Sequence, residues 1–155
     1  MVKTKKTIFH ARSGATFTKE EAQVVGETLM DIKAKNCKLV PELVVDEAKN
    51  KHSPIHKYFD WSDNTAAKSW RLQQARYLIA SVTEVVIIQG KESEQRSFFS
   101  VGARRNSETE YVTVQEAVTE KPYREQLLSE IITKMENLTQ LMKMFKQYDQ
   151  KYKYQ

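Results

Sequence analysis

Apolar positions along the chain fall into three regimes. Between residues 18 and 81 they recur at helical spacing, between 82 and 115 they alternate, and from about 122 the helical repeat returns. Thr18 and Glu21 form a capping box, and Ala22, Val25, Leu29 and Ile32 then share one face, which predicts a helix over 18–35. Asn36 to Leu39 reads as the turn. Pro41 suits the first position of a second helix that carries Leu43, Val44, Val45 and Ala48. Ser53-Pro54 opens a short helical turn with Ile55, Tyr58 and Phe59, after which Asp60-Trp61-Ser62-Asp63 caps a third helix ending near 81. This helix shows two apolar faces, one through Ala67, Trp70, Gln74, Tyr77 and Ser81, the other through Leu72, Ala75, Ile79 and Val82. It is therefore expected at the centre of the domain, buried on both sides.

Residues 83–88, 96–101 and 110–115 are rich in β-branched and aromatic side chains, and the polar segments GKESEQ and GARRNSET join them, which predicts a three-stranded antiparallel meander. Beyond Pro122, residues Leu128, Ile131, Met135, Leu138, Met142 and Phe145 are spaced 3, 4, 3, 4, 3. That is an a/d seam of roughly two and a half heptads. Packing on its own domain and pairing with a second copy of the chain both satisfy it. The expected fold is thus α+β: three N-terminal helices, a small antiparallel three-stranded sheet and a long C-terminal helix, in the order of a winged-helix domain. Residues 1–17 read as a flexible basic arm, 18–148 as a single domain that includes the long helix from about 122, and 149–155 as a basic, aromatic tail.

Charge and composition narrow the chemistry. The 155 residues carry 25 Lys+Arg against 20 Asp+Glu, a net charge of +5, and the first 19 residues hold five basic and no acidic side chains. The single cysteine, Cys37, excludes an internal disulfide and a cysteine-built zinc site. No apolar run approaches the roughly 20 residues that cross a bilayer, and the start MVKTKKTIFHARSGATF lacks the apolar stretch of a secretory signal, so a soluble cytoplasmic protein is expected. Phosphate-loop, dinucleotide and nucleophile-elbow motifs are missing from the sequence. His52 and His56 stand four apart, but Pro54 between them starts the helix after His52, and no third ligand is indicated. No metal, no cofactor and no enzymatic activity are expected. His56 is expected to hydrogen-bond Asp60 or Asp63 and lock the turn, and Trp61 and Trp70 to pack in the core.

One segment is more particular. Ser53, Pro54, Ile55, His56, Phe59, Trp61, Asp63, Ala66 and Ala67 make a pattern S-P-[L/I]-H-x-x-F-x-W-x-D-x-x-A-A. Arg71, Gln74, Ala75, Arg76, Leu78, Ile79 and Ser81 then make R-x-x-Q-A-R-x-L-I-x-S. With the later Y-V-T-V run and the helix opening Y-R-E-Q-L-L, the chain from about 20 to 140 resembles a family of small phage and prophage proteins. The resemblance implies a phage or prophage origin and a role inside an infected cell, in the host cytoplasm. It carries over no catalytic residue.

Two functions suit these features. The first is a phage-encoded, non-enzymatic DNA-binding protein for regulation or DNA handling, with Lys68, Arg71 and Arg76 on the third helix and Arg104 and Arg105 on a hairpin turn as phosphate or groove contacts. Lys3, Lys5, Lys6 and Arg12 would add electrostatic attraction. The other is a protein-interaction module, such as an assembly factor, a minor virion component or an inhibitor of a host protein, which docks through the C-terminal helix. That reading expects Met135, Met142 and Met144 on an exposed apolar surface. A homodimer through the 128–145 seam is compatible with both.

Overall fold

The computed structural model describes residues 7–62, 67–102 and 109–152, with side chains through Asp149. The fold is α+β, and the chain divides into two compact units, Met1–Val114 and Gln115–Gln155, in place of the single domain expected over 18–148.

In the first unit the capping box forms as the sequence predicts. The Thr18 amide donates to Glu21 Oε2 at 2.9 Å and the Glu21 amide to Thr18 Oγ1 at 3.3 Å. The turn it closes feeds α1 (Ala22–Asn36), whose Ala22, Val25, Leu29 and Ile32 are buried, the four residues of the predicted face. Cys37 ends α1 in the left-handed conformation, φ 58°, and is exposed. Pro41 stands at the start of α2 (Pro41–Ala48), and a single 3-10 turn follows at His56–Tyr58. The third helix, α3 (Ala67–Ser81), runs without a break into the strand at Val82–Ile88. Leu29, Leu39, Val44, Ile55, Leu78 and Ile79 are among the fully buried side chains of this unit.

Sheet membership differs from the predicted meander. The three-stranded antiparallel sheet has the order β1-β2-β3, with β1 at Phe9–Ala11, β2 at Val82–Ile88 and β3 at Lys91–Arg96. Phe9 pairs with Glu84, and Thr83 with Arg96. The flexible arm expected over 1–17 is therefore not what residues 7–17 form: they supply an edge strand, and Phe9 and Phe17 are buried in the core cluster. The basic composition of the arm hid two apolar anchors.

The expected connector GKESEQ is also corrected, because all but its glycine belongs to β3. Only Gln89 and Gly90 remain as a two-residue turn, with φ of 51° and 77°, the mirror-image geometry that suits the twist of a hairpin. β3 alternates exposed and partly covered positions at the sheet edge, so it carries no apolar face for a sequence pattern to register. Ser97, whose amide still donates to the Val82 carbonyl at 3.2 Å, separates β3 from β4 (Phe98–Val101), which pairs with β5 (Glu110–Thr113) in a separate two-stranded sheet. An isolated bridge from Leu39 to Tyr111 ties that sheet to the α1–α2 turn, with the Tyr111 amide donating to the Leu39 carbonyl at 2.7 Å.

α4 (Val114–Thr119) starts at the last residue of the first unit, and the second unit continues with α5 (Lys121–Tyr152), a helix of 32 residues and about 48 Å. Its start matches the predicted long helix, and it runs through Tyr152, into the segment expected as a tail. Among the described residues no helix is long and apolar enough to cross a membrane.

Candidate functional site

The family-like segment builds a corner between the 3-10 turn and α3. His56 Nδ1 lies 2.7 Å from the Ala48 carbonyl, and the indole Nε1 of Trp61 donates to the His56 carbonyl at 3.0 Å. The imidazole and indole rings stack with centroids 5.0 Å apart and planes 9° from parallel. The partner of His56 is thus a backbone carbonyl, where a carboxylate of Asp60 or Asp63 was expected; Asp63 lies outside the described residues. Asp60 instead accepts from the Ser62 amide and hydroxyl, and these bonds hold its carboxyl below the usual range.

Arg71 closes the corner from α3. Its Nε donates to the Asp60 carbonyl at 3.0 Å and its Nη2 to the Ser62 carbonyl at 3.3 Å, while the guanidinium lies 5.2 Å from the Trp61 ring centre. Gln74 accepts from the Asp60 amide at 3.1 Å and donates to the Tyr58 carbonyl at 3.4 Å. Several side chains that make this motif legible thus hold the chain, and Arg71, expected as a phosphate contact, uses Nε and one Nη2 hydrogen on backbone carbonyls.

The other residues expected to touch nucleic acid are dispersed. Lys68 and Arg76 are exposed on α3 and have no ion partner among the described residues. Arg12 is exposed, and its amide donates to the Ser81 carbonyl at the end of α3 at 2.9 Å. Arg104 and Arg105, like Lys3, Lys5 and Lys6, lie outside the described residues. Among the described residues no group of His, Cys, Asp or Glu is placed to hold a metal ion.

Trp70 is the main departure on α3. It was expected in the core but is 50% exposed, and Tyr77, seven residues on, is 46% exposed. Only the face through Ala67, Ala75, Leu78 and Ile79 is buried, so the helix is covered on one side. The open side forms the wall of a cleft of about 700 Å³, where Trp70, Gln73, Arg76 and Tyr77 meet Tyr58 and Tyr111. Sequence reasoning missed this cleft. The available signal was the mixture on one helix face of aromatic rings with Gln73, Gln74 and Arg76, which marks a half-wet surface and not a second core face.

On α5 every described residue from Ile131 to Asp149 is exposed. Leu128, Ile131, Met135, Leu138, Met142 and Phe145 have exposures between 43% and 71%, and Ile132, Leu141 and Met144 flank them. Tyr148 and Lys146 continue the exposed surface, whereas the side chains of Lys151 and Tyr152 and all of Lys153 and Tyr154 fall outside the described residues. Comparison with protein-family models, with curated proteins and with solved structures gives no match to this chain.

Proposed function

We propose that this is a non-enzymatic protein-interaction module whose copies join through α5. The observation that carries the reading is the exposed apolar seam from Leu128 to Phe145: six large side chains at alternating spacings of three and four, left uncovered on one helix. A contiguous apolar surface of this kind on a water-soluble helix calls for a covering surface. The 3-4 repeat matches what a second copy of the same helix offers, since each a or d side chain then inserts among four from its partner. Exposed Met135, Met142 and Met144 further support an interaction surface, because the thioether side chain adapts to the shape opposite it. The family resemblance adds a phage or prophage origin and a site of action in the host cytoplasm.

Sedimentation equilibrium of the full chain tests the pairing. Wild type should have twice the chain mass, and Leu138→Lys, which puts an ammonium in the middle of the seam, should have the mass of one chain with its helical circular dichroism signal largely retained. A monomeric wild type at micromolar concentration and above would refute it.

DNA binding is a second reading, supported by Lys68 and Arg76 standing exposed on α3 with Arg12 close to its end. It predicts retention of mixed-sequence duplex or single strands that falls steeply between about 50 and 200 mM salt, and weakens in Lys68→Ala with Arg76→Ala. Retention unchanged by those substitutions would remove α3 from that reading.

A further inference from the structure

The cleft on α3 is built from the side-chain types that dominate protein recognition. Trp, Tyr and Arg are enriched among the residues that carry most binding energy at protein interfaces, and here Trp70, Tyr77 and Arg76 lie on one helix side, with Tyr58 and Tyr111 opposite. All of these residues belong to the first unit, so the site is independent of α5 and of the pairing proposed for it.

Three polar side chains of the walls are already committed. The Tyr77 hydroxyl donates to the Gly14 carbonyl. The Tyr58 hydroxyl faces the Glu21 carboxylate and, largely through burial, has its pKa raised. Gln74 is held by the backbone of Asp60 and Tyr58. Those three side chains are therefore held before anything binds, which lowers the ordering cost of association. What the walls mostly offer a ligand is the flat faces of aromatic rings and one guanidinium, with the Gln73 amide and the Thr16 hydroxyl beside them.

That guanidinium sets the charge of the ligand. Arg76 is the one charged side chain among the described residues lining the cleft, and it makes no ion pair among the described residues. Its field reaches the Tyr111 phenol, on which it acts to favour the ionised form against the larger effect of burial. A carboxylate entering the cleft would find a planar, bidentate partner. Nucleic acid fits less well, because a strand that stacks its bases also needs cations along its backbone, and this cleft has one.

We infer that the cleft is a docking site for a short extended peptide segment of a partner protein, one that carries a bulky apolar side chain near an Asp or Glu. Spacing follows from the helix. Trp70 and Arg76 are separated by about 9 Å of rise, the span of about three residues of extended chain, so the apolar anchor and the carboxylate should stand two or three positions apart.

The test is selection of random displayed peptides on the immobilised full chain, followed by fluorescence polarisation of the selected sequences with wild type, Trp70→Ala and Arg76→Ala. Both substitutions are at exposed positions, and circular dichroism verifies that the variants are folded. Selected peptides should share an apolar residue two or three positions from an acidic one and lose at least about tenfold in affinity with either variant. Arg76→Lys should recover part of that loss. The inference is overturned if no sequence is enriched, if the enriched sequences are basic, or if their affinity is the same for Trp70→Ala and wild type. It is equally overturned if single-stranded oligonucleotides, and not peptides, bind in a manner abolished by Trp70→Ala. Leu138→Lys should leave single-peptide affinity unchanged, which separates failure of the cleft from failure of the α5 seam.

Discussion

Docking of β1 can be tested through a glycine on the neighbouring helix. Gly26 lies within α1, where alanine would ordinarily be favoured by about 0.5–1 kcal/mol through backbone entropy. A Cβ at this position, however, would fall on the ring of Phe9 and 2.8 Å from the Phe9 Cβ. Phe9 cannot yield cheaply, being buried, paired with Glu84 in the β1–β2 ladder and joined through its amide to Gln23 Oε1 at 2.9 Å. Overpacking of this kind costs about 1–3 kcal/mol, which exceeds the propensity gain. Gly26→Ala should therefore destabilise the protein by about 1–2 kcal/mol and lower its melting temperature by about 2–4 °C for each kcal/mol. Phe9→Ala alone should cost about 3–5 kcal/mol. With the ring gone the two closest contacts go and only the Cβ–Cβ approach of 2.8 Å is left, so in the Phe9→Ala background Gly26→Ala should cost less than in the wild-type background, by about 1 kcal/mol or more. Urea unfolding of the four proteins, followed by circular dichroism, measures the cycle. A stabilising Gly26→Ala in the wild-type background, or an equal cost in both backgrounds, would mean that Phe9 does not pack over α1 and that β1 is not docked as described.

Two further outcomes follow from the corner and the capping box. Arg71→Ala removes two hydrogen bonds to backbone carbonyls and a ring contact with Trp61, and should lower stability by about 1–2 kcal/mol; Arg71→Lys should recover only part, since an ammonium cannot reproduce the guanidinium fork. Chemical denaturation measures both, and a neutral Arg71→Ala would refute the corner. Glu21 is held down to about 2, first by its hydrogen bond from Lys57 and then by the Thr18 amide, while Lys57 is raised by the same contact. A carboxylate depressed in the folded state contributes stability that is present above its unfolded value near 4.5 and is lost as pH falls from there through about 2. Wild type should accordingly lose more stability than Glu21→Gln over that acid range, and parallel curves would show that the contact is absent in solution. Above pH 10, Lys57 should lose its charge later than an ordinary lysine, a shift that NMR titration of its side chain would detect.

The helices and most of the core were legible because helical periodicity survives in side chains that face inward. Val25, Leu29 and Ile32 on α1 and Val44 and Ala48 on α2 are buried where the spacing places them. The sheet was half legible, and the reason is the position of its edges. β1 is three residues long within a basic segment, and β3 reads KESEQR, so neither edge strand has the period-2 apolar signal that identified β2. Around α3 the spacing was visible but its meaning was reversed. Trp70 and Tyr77 share a helical face, as a core stripe would, yet no described element covers them, and no spacing rule distinguishes a covered stripe from an open one. The pattern named the corner residues together, but it gave Arg71 to nucleic acid and His56 to a carboxylate, because their partners, such as the Ala48 carbonyl for His56, are backbone atoms, which sequence does not mark.

The division of labour among these residues bears on how the molecule could work. The residues of the family-like segment that are described, His56, Trp61, Arg71 and Gln74, hold one another and the backbone, so they account for the shape of the cleft wall but not for what enters it. Under the proposed docking, specificity would fall to side chains outside that pattern or at its edge: Trp70, Gln73, Tyr77, and Arg76, which the pattern includes without assigning it a structural bond. A cleft of about 700 Å³ takes only a few residues of peptide and buries far less than a standard protein–protein interface, so a single site of this kind binds weakly. Pairing through α5 would supply the missing strength without any new contact, because two linked clefts engage a partner that displays the segment repeatedly, and the second attachment is intramolecular. Under the two proposals above, the exposed seam on one unit would set avidity and the small, singly charged cleft on the other would set identity.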